Sequence, residues 1–336
     1  MFQSHKNIKI FFNYFLAPLL GLWLFYSLFN QVKNQPNLRE SVELIKQAPF
    51  GIHAFKFWII ILLVFLNWGI EARKWQVLVK NLQVISFVTA FKAVLSGLTL
   101  SLNTPNRIGE YGGRILYIDE GNRLSAISLS IAGGISQLII TLTMGCGGLL
   151  FLILQESNIS SMGLSVFWLK IFSLQLLLIA SCFITACLIL FYFRLSWITL
   201  FLEKIPWLNR FTRYMVVLEQ FRAKVLLRLI SLSLFRYMVF VIQYILLLQV
   251  FEVNIYWADA FWLISTLFLV LAIVPSFAIA DLGIRGKFSI ELLNLYSPNT
   301  IGIIGTTFGI WLINLFIPAL VGSLLIFGAR IFKYDK

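Results

Sequence analysis

The sequence predicts an all-α polytopic membrane protein, with about six full transmembrane helices plus two re-entrant hairpins of opposite orientation, arranged as an inverted repeat. Three observations carry that prediction. Apolar residues fill 60% of the 336 positions and charged residues only 12%, against about 45–50% and about 25% in a soluble domain, and the mean hydropathy is +0.88. Apolar runs close to the ~20 residues that cross a bilayer core follow one another through the chain. Basic residues gather in some connecting segments and avoid others, which gives each run a direction.

The runs, in order, are Ile8–Phe29, Phe55–Ile70, Phe87–Leu102, Ser125–Leu154, Val166–Phe193, Leu229–Phe251, Trp257–Val274 and Ile301–Phe327. A polar loop, Asn30 to about Ala54, follows the first. Glu71-Ala72-Arg73-Lys74-Trp75 closes the second and reads as an interfacial anchor. Ile8–Phe29 lacks the short apolar core and small-residue cleavage site of a signal peptide, so it is expected to stay as a membrane helix.

The basic segment of about 194–228 holds Arg194, Lys204, Arg210, Arg213, Arg222, Lys224 and Arg228, which puts it in the cytoplasm. The N-terminus (Lys6, Lys9) and the tail (Arg330, Lys333, Lys336) belong on the same side. The segments Gln155–Ser165 and Glu252–Tyr256 carry no Lys or Arg and belong outside. A chain that starts inside is back in the cytoplasm after two spans, yet Ser125–Leu154 must rise from the cytoplasm. The segment of about 87–117 therefore enters and leaves on one face, as a hairpin tipped near Asn103–Gly109. By the same reasoning the segment of about 257–295 is a second hairpin, tipped near Pro275–Asp281 and opening to the other face. Repeats of this inverted kind, with helices broken near the midplane, recur among transporters. The whole chain reads as a single transmembrane unit of a cell (inner) membrane.

Net charge is +13. Because the basic residues flank apolar spans, they point to cytoplasmic loops and anionic head groups and away from nucleic acid as a partner. Cys146, Cys182 and Cys187 lie in apolar runs without metal-ligand or disulfide spacing. His5 and His53 stand outside the spans. The chain shows no Gly-x-Ser-x-Gly and no paired carboxylates, so neither an enzyme nor a cofactor is expected.

Chemistry concentrates in the two polar breaks. In the first, Pro105 ends a helix, Gly109 and Gly112 permit a tight return, and Asn103, Arg107, Glu110 and Arg114 supply polar and charged groups. In the second, Pro275, Gly283 and Gly286 form the turn around Asp281 and Arg285, which are four apart and share a helix face. Arg107-Ile108-Gly109-Glu110-Tyr111-Gly112 parallels Asp281-Leu282-Gly283-Ile284-Arg285-Gly286: charged, aliphatic, then Gly-x-x-Gly. A charge at membrane depth costs roughly 2.5–3.5 kcal/mol on insertion scales, so it faces a cavity or a partner. Two roles are open: an ion pair that holds the hairpin, or a site in which the arginines take a phosphate and the carboxylates gate it or meet a cationic group. Phe201–Arg228 alternates bulky apolar and basic residues, as a helix lying on the inner leaflet does.

Asn103-x-Pro105-x-Arg107-x-Gly109-Glu110-x-x-x-Arg114 resembles the hallmark of the lysylphosphatidylglycerol synthase transmembrane-region family of flippase-like membrane proteins. Arg73-Lys74-Trp75 and the late Pro275…Asp281-x-Gly283 turn look like that family too, although Ala280-Asp281 and Arg285-Gly286 stand where many members carry Gly-Gly and Glu. The resemblance runs over essentially the whole chain. It implies a stand-alone member without the synthase domain, and two hairpins that meet in the bilayer around a lipid head group. Asn103, Arg107, Glu110, Arg114, Asp281 and Arg285 are then the expected substrate-binding residues.

The expected function is movement of a lipid or lipid-linked head group between leaflets, the partner being an anionic phospholipid or a polyprenyl-phosphate-linked lipid. The alternatives are an integral-membrane transferase acting on a lipid carrier, with Glu110 as base, and a non-transporting accessory subunit. A homo-oligomer or a partner lipid-synthesis enzyme is compatible with any of them.

Overall fold

The computed structural model describes residue 26 and residues 38–102, 104, 107–156, 164–194, 221–274 and 281–327. The described residues are mostly helical, joined by short turns, with no strand among them. The helices are α1 (Leu38–Gln47), α2 (Ala54–Val79), α3 (Phe87–Leu102), α4 (Gly109–Ile115), α5 (Arg123–Glu156), α6 (Leu164–Phe193), α7 (Ala223–Val250), α8 (Trp257–Ile273), α9 (Asp281–Leu293), α10 (Thr300–Trp311) and α11 (Ile317–Phe327). Among the described residues, five helices are long and apolar enough to cross a membrane: α2, α5, α6, α7 and the continuous rod of α10 and α11. The apolar α3 and α8 are shorter, at 16 and 17 residues. The expected first span, Ile8–Phe29, lies outside the described residues apart from Tyr26, as do the hairpin tips around Asn103, Pro105 and Pro275 and the basic stretch 195–220.

Two expectations change. The segment Asn30–Ala54, read as a polar loop, contains α1. Its Val42, Leu44 and Ile45 pack on the core while Glu40, Glu43 and Lys46 stay exposed, so an amphipathic helix covers the end of α10. The second span does not end at Ile70. Helix α2 continues for nine more residues, because Asn67, Trp68, Glu71, Lys74, Trp75 and Leu78 recur at helical spacing on one face and are all buried.

Helices α3 and α4 are antiparallel neighbours held backbone to backbone. A side chain at Gly109 would strike the Leu100 carbonyl, and one at Gly113 would strike Ser96 and Gly97, so α4 advances as α3 recedes. Gly109-x-x-x-Gly113 is thus a small-residue packing face. The anticipated turn glycine Gly112 meets only a Leu100 methyl at 3.7 Å, and Gly283 and Gly286, also assigned to a turn, sit within α9 facing open space. At these three positions the glycine meets no backbone of a neighbouring helix. Helix α3 in turn lies on α11, where Gly322 abuts the Leu95 carbonyl and Thr99 donates to the Ala319 carbonyl at 2.7 Å. On the other side of the bundle α5 packs on α8 through Gly145 and Gly148.

The rod of α10 and α11 contains a single π turn, Leu312–Phe316. Pro318 has no amide to return to the Asn314 carbonyl, so the ladder cannot stay regular there, and the Ile317 amide bonds five residues back to Leu312. The wide turn carries the fully buried Asn314.

Candidate functional site

Helix α2 brings Asn67, Trp68, Glu71 and Lys74 onto its buried face because residues three and four apart share a side. Helix α4 adds Glu110 and Arg114, also four apart, and α7 adds Ser233 and Arg236. The three helices meet at Glu71. Its Oε1 accepts from Arg114 NH2 at 2.7 Å, and its Oε2 lies 3.1 Å from Lys74 Nζ and 3.3 Å from Arg236 NH1. Arg114 also pairs with Glu110. One carboxylate therefore faces three cations, with side-chain exposures of only 4% for Glu71, 2% for Lys74 and 3% for Arg114.

Neutral groups fix the cluster. Lys74 Nζ donates to Ser233 Oγ at 3.3 Å, which exchanges a 2.9 Å hydrogen bond with Ser136. Arg236 Nε donates to Asn67 Oδ1 at 2.9 Å, and Asn67 Nδ2 donates to Asn314 Oδ1 at 3.2 Å, which links the cluster to the π turn. Each guanidinium lies over an indole: Arg114 above Trp75 at 5.4 Å and Arg236 above Trp68 at 5.3 Å. Stacking of this kind suits arginine, whose planar, weakly hydrated head tolerates desolvation better than an ammonium.

These residues border a cavity of about 700 Å³. Its charged lining, among the described residues, is Lys74, Arg107, Arg114, Arg236 and Arg285 against Glu71 and Glu110: five cations and two carboxylates. The remaining wall is largely apolar, including Leu138, Phe240, Phe268 and Leu271. The charge balance is that of an anion site. Among the cavity residues, the buried donors Arg114 Nε and Trp68 Nε1 and the acceptor Glu71 Oε2 have no hydrogen-bond partner.

Of the residues singled out in the sequence, Arg107, Glu110, Arg114 and Arg285 line this one cavity, so the two polar breaks do contribute to a common space. Asn103, Pro105 and Pro275 lie outside the described residues, as does the side chain of Asp281, whose backbone begins α9. Arg107 adopts φ 59°, in the left-handed region that residues other than glycine seldom enter, and is exposed two residues before α4, where it lines the cavity. Glu71 and Lys74 are not the interfacial anchor that their sequence suggested. They face inward because α2 continues past them, and only Arg73 of that triplet is exposed. Sequence reasoning missed Arg236 and Asn67. The signal for Arg236 was a lone arginine seven residues into the Leu229–Phe251 run.

Among the described residues, no group of three or more His, Cys, Asp or Glu could hold a metal ion. None of the protein-family models, curated proteins or solved structures compared with the chain matches it.

Proposed function

We propose that this protein is a flippase-like transporter that carries an anionic lipid head group between leaflets through the central cavity. The observation that carries the reading is the five-to-two excess of cations over carboxylates in a 700 Å³ cavity flanked by membrane-spanning helices. A net positive wall attracts an anionic head group, and the arginine fork suits its phosphate. Arg107, Arg114, Arg236 and Arg285 take the phosphate, while Phe240, Phe268 and Leu271 border the acyl chains. Glu110 holds Arg114 in the absence of lipid and yields it to the phosphate. The helix pairs α3 with α4 and α8 with α9 act as the two re-entrant hairpins of an inverted repeat; at roughly 1.5 Å per residue, α3 and α8 reach about 25 Å, short of a ~30 Å core. The likeness of the Asn103–Arg114 stretch to the lysylphosphatidylglycerol synthase transmembrane-region family supports the same assignment.

The test is lipid scrambling in proteoliposomes that carry a fluorescent phosphatidylglycerol, with phosphatidylcholine as the control. Arg107→Gln is the informative variant, since Arg107 is exposed and outside the buried cluster around Glu71. A charge-assisted hydrogen bond contributes about 1.5–3 kcal/mol, so the rate for the anionic lipid should fall at least about tenfold. Equal rates in wild type and a well-folded Arg107→Gln would remove the assigned role.

A further inference from the structure

A second hollow, of about 200 Å³, lies where α2 ends and α7 begins. Arg73, Lys80 and Arg228 line it together with Gln76, Val84 and Ile85, and among the described residues no carboxylate does. All three cations are exposed. The hollow is built, since Gln76 Nε2 donates to the Ile85 carbonyl at 3.0 Å and so folds the segment 80–86 back onto α2. The amides of Leu82 and Gln83 close that turn on the Val79 carbonyl at 2.9 and 2.8 Å. Gln76 also orients the first cation, because Arg73 NH1 donates to its Oε1 at 2.9 Å.

The rim distinguishes what such a site takes. Val84, which lines the hollow, is 84% exposed; Val88, four residues on, and Leu227, the chain neighbour of Arg228, are 61% and 53% exposed, so bare apolar groups accompany the charges. Water alone favours neither the grouping of three like charges nor the bare valines and leucine beside them. An amphiphile with a phosphate at one end and acyl chains at the other satisfies both, whereas a free phosphate has no use for the apolar rim.

We propose that this hollow binds the head group of an anionic phospholipid, separately from the central cavity. Arg73, Lys80 and Arg228 hold the phosphate, and the chains lie along Val84, Val88 and Leu227. The site does not depend on transport and would exist in a protein that moves nothing.

Native mass spectrometry of the purified full chain, titrated with phosphatidic acid, phosphatidylcholine or inorganic phosphate, tests it. Each Lys or Arg near an anionic lipid contributes about fivefold in affinity, so Arg73→Gln with Lys80→Gln should weaken phosphatidic acid binding roughly twentyfold. Arg228→Gln, on a different helix, should weaken it about fivefold. Phosphatidylcholine should bind far more weakly than phosphatidic acid. Unchanged phosphatidic acid binding in both Arg73→Gln/Lys80→Gln and Arg228→Gln overturns the proposal. So does inorganic phosphate that binds as tightly as the lipid, because the apolar rim would then have no part in recognition.

Discussion

Arg114 on α4 donates to Glu71 on α2 across 2.7 Å, a contact between residues 43 positions apart in which both side chains are almost fully buried. The same carboxylate also meets Lys74 and Arg236. Three helices are therefore joined through one negative charge, which ties α4 to α2 and α7. Effective desolvation costs several kcal/mol per buried ion, and that cost is offset only while each cation keeps its partner.

Removal of that carboxylate is the most damaging single change open to the cluster. Glu71→Gln keeps the size of the side chain but leaves three cations without their shared counter-charge. Breaking a buried pair typically costs about 3–5 kcal/mol, which should appear as a large drop in the thermal midpoint in detergent. Glu110→Gln should cost much less, because Glu110 has a side-chain exposure of 35% and Arg114 keeps Glu71. The double variant Glu71→Gln/Arg114→Gln should be more stable than the sum of its two single changes, since it removes a charge together with its orphan. Strict additivity would mean that the pair does not interact.

The glycines divide into two groups by what a methyl would meet. Gly113→Ala and Gly109→Ala drive a methyl into the backbone of α3, and overpacking of this sort costs about 1–3 kcal/mol or more. Gly283→Ala and Gly286→Ala add a methyl in open space within a helix, where Ala is favoured over Gly by roughly 0.8–1 kcal/mol. Thermal unfolding of the four variants should rank Gly283→Ala and Gly286→Ala at or above wild type and Gly113→Ala and Gly109→Ala well below it. A stable Gly113→Ala would show that α3 and α4 are not in backbone contact.

The helical character of the described residues, and the presence among them of helices long and apolar enough to cross a membrane, were legible because composition and run length report them directly. The shared space of Arg107, Glu110, Arg114 and Arg285 was legible as well, because charge inside apolar sequence is costly and marks where polar walls meet. The other half of the cavity was not. Glu71 and Lys74 look like a basic helix end, and only the register of α2, set by Trp68, Trp75 and Leu78, turns them inward. Asn67, Ser136, Ser233 and Asn314 carry no charge, so nothing in local sequence separates a polar side chain that bonds across helices from one that faces lipid or its own backbone. Gly109 illustrates the same limit: read as a turn residue, it serves close helix approach, and which use applies depends on a partner helix that sequence spacing does not name.

Asn314 tests the link between the π turn and the cluster. Its Oδ1 is the acceptor for Asn67 Nδ2, and Asn67 in turn holds Arg236. Asn314→Leu leaves a buried amide donor without an acceptor, at a cost of about 1–3 kcal/mol. Asn67→Leu/Asn314→Leu removes the donor as well and should recover part of that loss. Denaturation of the two variants compared with Asn67→Leu alone closes the cycle, and a coupling near zero would mean that the π turn has no hold on Arg236.

Arg236 separates a structural role for the cluster from a lipid-handling one. Its side chain is 21% exposed, pairs with Glu71, bonds Asn67, stacks over Trp68 and borders the cavity. Arg236→Lys preserves the charge but loses both the planar fork and the stacking; Arg236→Gln loses the charge too. If the residue takes a phosphate, movement of the anionic lipid should fall modestly in Arg236→Lys and at least about tenfold in Arg236→Gln. Both variants should unfold close to wild type, because Glu71 keeps Lys74 and Arg114. A purely structural Arg236 gives the other pattern: stability and transport fall together in the two variants, and the loss is the same for phosphatidylglycerol and phosphatidylcholine. The discriminating quantity is the ratio of the two lipid rates, which a general loosening of the bundle leaves unchanged and the loss of a phosphate ligand lowers.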